Sequence, residues 1–426
     1  MDKPKFSIVV IAKNEAKTLP RLVKSLRDFQ QREGEIVVLD TGSEDNTPQI
    51  ARDLGCEVFE EKFTLTITND QEEGINKFIH KTEDIVVSAG MTLFDFAAAR
   101  NRVAELATND WVWEVDADEI FTRLDIDKIN ETITPEIERI ENHFVFSHLA
   151  DGKPAIAFLH SKLFDRTKLV WRGIVHECLF PRDDKPEGRG RTYLGPEYIG
   201  LEHFQNQETD RSNYLTGLAL DTFLDPTNDR NSHYYGRELL WRGRPNSAIK
   251  ELKRHIAMDK WPTEAAQSMI FAGDANRAIC NDDEAILWYK KSFEKEPRRR
   301  EPFMKLCEIY RHRNDLQRVA CYAAAALEIP ESGFYANNME HYTNKPWEYL
   351  YLSRWWLGDR AGSKVAYEKA ISYQPSNAMY IHDGIFFEDP DLPQGWFSYS
   401  DVRTYRRLIE EMPVGGLLVE LGTWKG

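Results

Sequence analysis

The sequence predicts an α/β domain followed by an all-α domain, and three observations support this prediction. Apolar runs typical of buried parallel strands alternate with amphipathic helical segments over the first third of the chain. From Asp210 onward the strand-like runs disappear and apolar residues recur at helical spacing. Four helical segments in that part share aligned positions, which indicates an internal repeat. We therefore divide the chain into residues 1–206, residues 207–380 and a linker-like segment, 381–426.

The first domain is built of strands and helices in alternation. Phe6–Ala12 and Gly34–Asp40 are continuous apolar runs, and Cys56–Glu61 is a third strand-like segment. Helical spacing of leucine and valine follows the first run, and a helix that ends before Gly55 follows the second. Such alternation is typical of a doubly wound sheet, in which the site lies outside the carboxyl ends of the strands.

The second half of this domain is less regular at first. Residues 62–92 are largely polar, and we interpret them as an inserted loop or a short helical excursion. A helix with small residues at Ala97–Ala99 follows, and then an apolar strand runs into the stretch "DWVWEVDADEIF", Asp110–Phe121. Two carboxylates one residue apart, Asp116 and Asp118, end that strand and can share one divalent cation.

Composition limits the classes of function. The chain has 426 residues, 42% of them hydrophobic and 29% charged, so it is globular. It contains no run of 18 apolar residues, and we expect no transmembrane segment. The net charge of −15 disfavours nucleic acid as a partner, although it does not exclude a local basic groove. Five scattered cysteines without CxxC spacing favour a reducing compartment, so we expect a cytoplasmic protein.

Four ordered motifs carry a resemblance to a known family. They are "SIVVIAKNEAKTLPRLVKSL", "EIVVLDTGSEDNTPQIA", "FAAARNRVAELATNDWVWEVDADE" and "KLFDRTKLVWRGIVHE". In order and spacing they resemble the family 2 glycosyltransferases of the GT-A fold, over about the first 205 residues. The resemblance implies a Rossmann-like GT-A domain that binds a nucleotide-sugar, most often a UDP-sugar, and transfers the sugar with inversion.

The resemblance assigns the nucleotide to the first strand ends. It implies that Ala12, Asn14 and Glu15 form the nucleotide wall, and that Asp40 accepts from a base N–H or a ribose hydroxyl. Arg100 would lie near the nucleotide or diphosphate, since an arginine fork matches phosphate geometry. The alternative for Arg100 is a salt bridge to an acid of the same rim.

The paired aspartates match the family's DxD motif. Asp118 is expected to contact Mn2+ or Mg2+ directly, whereas Asp116 would reach the ribose, or the metal through water. His176 is expected to complete the metal's coordination, with a structural histidine as the alternative. Glu177 is the candidate general base that deprotonates the acceptor hydroxyl.

Strand geometry sets a condition for Glu177 to act as the base. Adjacent residues on a strand point to opposite faces, so His176 and Glu177 face one site only if the chain turns there. Glu119 and Asp165 are the reserve bases. Glu202–His203 resembles a place where related enzymes carry a histidine near the diphosphate.

The repeats resemble a degenerate tetratricopeptide array. The segments that begin at Asn246, Asp283, Leu316 and Ala361 align without gaps, and their starts are 37, 33 and 45 residues apart. The tetratricopeptide period is ~34 residues, and we attribute the longer last spacing to an insertion near "ESGFYANNMEHYTNKP". Each helical hairpin leaves an apolar face that only its neighbour covers. The array is expected to present a surface for an acceptor, such as a glycan, a protein or peptide, or a small hydroxylated molecule, or to form a homo-oligomer contact. The alternative is a rigid scaffold.

The last residues carry a separate resemblance. An apolar run with Glu420, Gly422 and Gly426 resembles the opening strand and glycine loop of a class I, S-adenosylmethionine-dependent methyltransferase. The later strands are absent, so we expect no methyltransferase activity and expect the chain to be a fragment of a longer protein. The alternative is a strand that packs on the array.

Three functions remain after this comparison of motifs. The first is a metal-dependent glycosyltransferase whose helical array helps to bind the acceptor or to assemble the protein. The second is a scaffold or binding protein whose transferase domain is vestigial. The third is a glycosyltransferase that acts on modified nucleic acid, which the net charge disfavours.

Overall fold

The computed structural model describes residues 2–78, 87–148, 152, 154–182, 190–204, 214–331, 337–388, 404 and 407–413. The chain forms two compact units. The first comprises Met1–Pro297 with Gly333–Asn337, and the second comprises Arg298–Ser332 with Asn338–Gly426. The methyltransferase-like motif of Glu420, Gly422 and Gly426 lies outside the described residues, and its interpretation stays a prediction.

The strands all belong to the first unit. They are β1 (Phe6–Ala12), β2 (Ile36–Asp40), β3 (Glu57–Glu60), β4 (Thr64–Thr66), β5 (Thr92–Phe94), β6 (Trp111–Glu114), β7 (Glu119–Leu124), β8 (Arg139–His148), β9 (Pro154–Asp165), β10 (Leu169–Arg172), β11 (Cys178–Pro181), β12 (Arg191–Leu194) and β13 (Ile199–His203).

The helices occur in both units. Those of the first unit are α1 (Leu19–Ser25), α2 (Arg27–Gln31), α3 (Thr47–Asp53), α4 (Asn69–Phe78), α5 (Phe96–Leu106), α6 (Ile126–Thr132), α7 (Tyr214–Leu224), α8 (Asp229–Trp241), α9 (Pro245–Met258), α10 (Pro262–Ala278) and α11 (Asp282–Lys295). Those of the second unit are α12 (Glu301–His312), α13 (Leu316–Leu327), α14 (Met339–Tyr342), α15 (Asn344–Trp356), α16 (Arg360–Tyr373) and α17 (Ala378–Glu388). None of these described helices has the length and apolar composition needed to cross a membrane.

The main sheet is mixed, and its parallel half lies where the sequence predicts it. Its strand order is β3-β2-β1-β6-β9-β8-β13-β7, with β12 paired to β8. Strands β1, β2, β3 and β6 are parallel, and β9 pairs antiparallel to β6. From β1 the chain adds β2 and β3 on one side and later β6 on the other. The strand order therefore reverses at β1, where such sheets bind ligands beyond the carboxyl ends.

The polar insertion between residues 62 and 92 has its own structure. Strands β4 and β5 pair antiparallel, and helix α4 lies between them in the sequence. Ile67, Ile75 and Leu93 are buried in one hydrophobic cluster with Leu218 of helix α7. The insertion thus belongs to the packing of the first helical segment against the α/β domain.

The predicted repeats are the second helices of successive hairpins. Their segments correspond to α9, α11, α13 and α16, which pack on the helices that precede them. In α11 and α16 the aligned residues Tyr289, Ser292 and Ala370 are buried, as the alignment requires. The C-terminal part of the chain is therefore a tetratricopeptide-like helical array.

The third repeat is displaced by one position from the ungapped alignment. The alignment expects Tyr322 and Ala325 to face the core, but Ala323 and Ala326 are the buried residues. Ala325 is exposed. Because one residue turns a helix by about 100°, the apolar face of α13 defines its register better than similarity of single residues does.

Candidate active site

The loops that follow β1 and β2 are hydrogen-bonded to each other at the carboxyl edge of the sheet. Ala12 pairs with Asp40 in the β1–β2 ladder. The Asn14 N–H donates to Ser43 Oγ at 2.8 Å, and Asn14 Oδ1 accepts from the Glu44 N–H at 2.7 Å. Asn14 has a φ of 59°, a left-handed conformation that asparagine tolerates better than most residues. The structure therefore brings Ala12, Asn14 and Asp40 together at one rim.

Asp40 shapes the loop that follows it. Its side chain is buried, and Oδ1 accepts from the N–H groups of Gly42 at 3.0 Å and Ser43 at 2.9 Å. The Ser43 hydroxyl donates to Oδ2. Next to this loop, the Glu15 N–H donates to Thr47 Oγ1 at 2.8 Å. The loop already uses part of the hydrogen-bonding capacity of Asp40 and Glu15. Contacts of these two residues with a nucleotide stay predictions.

Asp116 is fixed between two cations. Its Oδ1 accepts from Arg100 Nη2 at 3.1 Å, and its Oδ2 accepts from Lys162 Nζ at 2.6 Å. Arg100 is buried and also pairs with Glu114 and Glu177. The alternative interpretation of Arg100, a salt bridge to a rim acid, is thus what the structure contains. Since Arg100 already pairs with three carboxylates, its contact with a nucleotide or diphosphate stays a prediction.

These side chains form one charged cluster. The charged cluster consists of Arg100, Lys162, Glu114, Asp116, Glu119 and Glu177. Burial would raise the pKa of Asp116, but the Lys162 ammonium and the Arg100 guanidinium hold that pKa well below its usual range. Burial raises the pKa of Glu114 and of Glu119 to about 7, although Arg100 and Lys162 oppose the shift at Glu114 and Lys162 opposes it at Glu119. Four carboxyl groups face two cations, so the cluster favours an added positive charge.

Asp118 and His203 form a pair beside this cluster. Asp118 Oδ2 lies 3.1 Å from His203 Nε2, and the Phe204 N–H donates to the Asp118 carbonyl oxygen at 2.9 Å. His203 Nδ1 lies 3.1 Å from the carbonyl oxygen of Phe146, and the two rings stack with centroids 5.1 Å apart. The Phe146 carbonyl oxygen can only accept a hydrogen bond, so His203 Nδ1 carries a proton and donates to it. The other ring nitrogen, Nε2, faces Asp118.

The pair fits a divalent cation. Burial would lower the pKa of His203, but hydrogen bonds with Asp118 and the Phe146 carbonyl raise it. The raised pKa favours a proton on Nε2 between the imidazole and the carboxylate. Two adjacent ligands of an octahedral Mg2+ or Mn2+ are about 3 Å apart, since each metal–oxygen distance is about 2.1 Å. The 3.1 Å between His203 Nε2 and Asp118 Oδ2 matches this ligand spacing.

The structure separates His176 from the position that the sequence analysis gives it. His176 has a φ of 53°, so the chain does turn there. Arg237 Nη2 of α8 lies 2.8 Å from His176 Nε2, and the imidazole stacks on Tyr234 with centroids 3.8 Å apart. His203, not His176, is the histidine that lies against Asp118. Glu177 points the other way, to Arg100, with 12% of its side chain exposed.

The two reserve bases are in unsuitable places. Asp165 pairs with Trp111 at the beginning of β6, the sheet edge opposite to Asp116, and accepts from the Thr167 N–H at 2.9 Å. Glu119 is 1% exposed and lies 3.4 Å from Lys162 Nζ. Neither carboxylate is open to an acceptor hydroxyl, so Glu177 is the remaining candidate among the acids that the sequence analysis proposes.

Lys162 and Glu114 belong to the charged cluster but are not among the site residues predicted from the sequence. Lys162 lies on β9, which pairs antiparallel with β6, so its ammonium reaches the end of the neighbouring strand. Glu114 is fully buried within β6. An acid inside an otherwise apolar strand is itself a signal, because a buried carboxylate requires a cation nearby. The expected partner of Glu114 could therefore have been sought before the fold was known.

One further group of potential metal ligands lies among the helices. His233, His255 and Glu264 are buried, with ligand atoms within 4.8 Å of one another. Burial lowers the pKa of His233, and the charges of His255, Arg237 and Arg230 lower it further. The positive potential around His233 disfavours a cation there, and the group is better described as a buried polar network.

The fold is an α/β domain with polar side chains gathered where the strand order reverses, the place at which such sheets bind ligands. Residues 7–77 match the family model described as "Glycosyl transferase family 2". This match confirms the resemblance to family 2 glycosyltransferases that the sequence motifs indicate. The matched residues include Ala12, Asn14, Glu15 and Asp40.

Three curated proteins are similar to parts of this chain. The SPbeta prophage-derived glycosyltransferase SunS of Bacillus subtilis is 24% identical over 266 residues, which are 60% of this chain and 54% of SunS. The 4,4'-diaponeurosporenoate glycosyltransferase of Staphylococcus haemolyticus is 33% identical over 101 residues, 24% of each chain. A TPR repeat-containing protein of Synechococcus elongatus is 34% identical over 113 residues, 26% of this chain and 20% of that protein. The chain spans about half or less of the length of these curated relatives.

Proposed function

We propose that this protein is a metal-dependent, inverting glycosyltransferase that moves a sugar from a nucleotide-sugar, in the first instance a UDP-sugar, to an acceptor hydroxyl. The observation that carries the proposal is the Asp118–His203 pair at the carboxyl edge of a family 2 glycosyl transferase domain. It lies directly beside a charged cluster in which carboxyl groups outnumber cations. A divalent cation would supply positive charge beside these carboxylates, and the diphosphate of the donor would supply further oxygen ligands to it.

Each residue of the site has a proposed role. Asp118 and His203 would hold Mn2+ or Mg2+, which would stabilise the negative charge of the departing diphosphate. Asp116 cannot approach a metal without losing Arg100 or Lys162, so it is proposed to accept from a ribose hydroxyl or to act through water. Ala12, Asn14, Glu15 and Asp40 would line the nucleotide at the neighbouring strand ends.

Glu177 is the proposed general base. It is tethered through Oε1 to Arg100, and its side chain remains 12% exposed. A tethered carboxylate at the rim can take the acceptor's proton as the hydroxyl oxygen attacks the anomeric carbon. Inversion requires one base and no covalent nucleophile, so this set of residues suffices for a single displacement.

The acceptor class is proposed from the domain organisation. A tetratricopeptide-like array presents extended surfaces suited to a glycan, a protein or peptide, or a homo-oligomer contact. The relative named as a TPR repeat-containing protein supports the array as an interaction module. The net charge of −15 makes nucleic acid the least favoured acceptor.

Ligand-dependent stabilisation and donor hydrolysis test the proposal together. Thermal unfolding is measured with UDP, GDP and dTDP, each with and without Mn2+, and hydrolysis of the corresponding nucleotide-sugars is then screened. A nucleotide at a hundred times its Kd stabilises the protein by roughly 2.7 kcal/mol. We expect a metal-dependent shift with UDP and hydrolysis of one or two UDP-sugars.

Two variants make the test specific to the site. Asp118→Ala removes a proposed metal ligand and should abolish both the shift and the hydrolysis. Asp110→Ala is the matched control, because Asp110 lies just before the other end of β6, with its side chain 70% exposed. No shift with any nucleotide diphosphate would overturn the enzyme proposal and favour a vestigial transferase domain on a binding protein.

A further inference from the structure

The candidate base lies at the tip of a β-hairpin. Strands β10 and β11 pair antiparallel, and residues 173–177 form the turn between them. Gly173 has a φ of 102° and His176 a φ of 53°, so the turn contains two left-handed residues. We call residues 173–177 the Glu177 turn. Its conformation is unusual for His176 and therefore requires support from its surroundings.

A buried carboxylate of helix α7 supplies one such support. Asp221 is 6% exposed, and its Oδ2 accepts from the N–H groups of Ile174 at 2.8 Å and Val175 at 3.0 Å. Asp221 Oδ1 also accepts from the Ile174 N–H at 3.0 Å. Hydrogen bonds from backbone N–H groups to a carboxylate are stronger than those between neutral groups. Asp221 therefore fixes two consecutive peptide groups of the Glu177 turn.

Helices α7 and α8 hold the rest of the turn by packing. His176 is stacked on Tyr234 and bonded to Arg237, both on α8. Ile174 and Val175 are buried with the apolar residues of α7. Contact with α7 is so close that a Cβ at Gly217 would lie 2.9 Å from Val175 Cγ1. On the transferase side, the Phe96 N–H donates to the Ile174 carbonyl oxygen at 3.2 Å.

We propose that Asp221 is a positioning residue through which the first helices of the array fix Glu177 beside Arg100. The role of Glu177 as base rests on the proposed function, whereas the hold of Asp221 on the turn does not. The array would then be part of the catalytic apparatus as well as a surface for the acceptor. The simpler alternative is that Asp221 only stabilises the fold.

The test compares Asp221→Asn with a matched control, Glu251→Gln. Asparagine keeps the shape of Asp221, but its side-chain NH2 group faces one of the backbone N–H groups of the turn. Two donors cannot form a hydrogen bond, so this contact is lost. Glu251 on α9 is a buried carboxylate of the same unit, but it accepts from Ser232 Oγ at 2.7 Å and from Arg254, not from the turn. Three quantities are measured on the full chain: amide hydrogen exchange at Ile174 and Val175, kcat of donor turnover, and Kd for UDP with Mn2+.

Asp221→Asn should raise the exchange rate of the Ile174 and Val175 amides at least tenfold. It should also lower kcat at least tenfold and leave Kd within threefold, because Asp118 and His203 hold the metal elsewhere. Glu251→Gln should change neither the exchange of these amides nor kcat. This separation of kcat from Kd is not expected from a loss of stability alone.

Two outcomes contradict the inference in different ways. Unchanged exchange and turnover in Asp221→Asn, or equal losses in both variants, would leave Asp221 as a stabilising residue only. If the wild-type protein binds no nucleotide, the proposed function fails and the catalytic role of Asp221 fails with it. Faster exchange at Ile174 and Val175 would then still establish that α7 holds the turn.

Discussion

His203 Nε2 lies 3.1 Å from Asp118 Oδ2, although 85 positions separate the two residues in the sequence. The sheet explains the contact. Strand β13 pairs antiparallel with β7, and in that register His203 is opposite Glu119, the residue after Asp118. A histidine at the end of β13 thus reaches the turn that begins β7, whereas His176 belongs to a hairpin held by helices.

The first prediction distinguishes the two histidines. His203→Asn should weaken the binding of UDP in the presence of Mn2+ at least tenfold, because the metal would lose one of its two proposed protein ligands. His176→Asn should keep the Kd within about threefold. Isothermal titration with and without Mn2+ measures both. Equal loss in the two variants, or loss in His176→Asn only, would contradict the assignment.

The second prediction concerns Lys162. Replacing Lys162 by Met leaves Glu119 without its buried cation and Asp116 with Arg100 alone, and should destabilise the protein by about 3 kcal/mol. We take the lower end of the usual range because the Asp116 side chain is 37% exposed. Urea unfolding monitored by tryptophan fluorescence measures the change.

Lys77→Met is the control for charge removal. Lys77 pairs with Glu73, and both side chains are 70% exposed, so the loss should stay below about 0.5 kcal/mol. A second variant, Lys162→Met with Glu119→Gln, should recover part of the stability, since it removes one of the uncompensated carboxylates. If Lys162→Met alone is as stable as the control, the charged cluster does not depend on Lys162.

The third prediction concerns pH. Burial raises the pKa of Asp221 to about 6. The nearby carboxylates of Asp95 and Glu177 also raise this pKa, whereas the hydrogen bonds from the N–H groups of the turn lower it. The folded protein therefore holds this proton more tightly than the unfolded chain, where the pKa has its ordinary value of 3.8. The resulting stability is fully present below pH 3.8 and is lost as the pH rises through 6.

Asp221→Asn should remove this dependence. The free energy of unfolding of the wild type minus that of the variant should fall by about 1 kcal/mol between pH 5 and pH 7. Urea unfolding of both proteins at the two pH values measures the difference. A difference that grows with pH would mean that the folded-state pKa is lowered instead.

The fourth prediction tests the register of the third repeat within a single helix. Ala323→Leu places a larger side chain in a fully buried position of α13 and should destabilise the second unit by roughly 1–3 kcal/mol. Ala325→Leu, at an exposed position two residues on, should change stability by less than about 0.5 kcal/mol. Thermal unfolding compares the two. A larger loss of stability in Ala325→Leu than in Ala323→Leu would support the register of the ungapped alignment instead.

Local patterns predicted most of the parallel half of the sheet. The apolar runs of β1, β2 and β6 and the acids at their ends are visible because a strand buried on both faces has few polar residues. The DxD pair and the repeats of the array are also local features. What they have in common is that each is specified within about one strand or one helical hairpin.

Features that depend on pairing across the sheet could not be predicted in this way. The approach of His203 to Asp118 depends on the register of β13, and that of Lys162 to Asp116 depends on an antiparallel strand. The sequence places His176 next to Glu177, and only the turn at His176 shows that their side chains diverge. The polar insertion likewise gives no local signal of packing, since its few apolar residues are covered by α7.

The packing of Ile174 and Val175 against α7 limits how this protein can be divided or recombined. A shortened protein that ends at residue 206 would expose the apolar cluster and leave the Glu177 turn without Asp221. One that ends at Pro297 keeps the continuous part of the first compact unit, Met1–Pro297, including α7 and α8. Exchange of helical arrays between related transferases should therefore succeed only where the crossover lies after α8, so that each catalytic domain retains the helices fitted to its own hairpin.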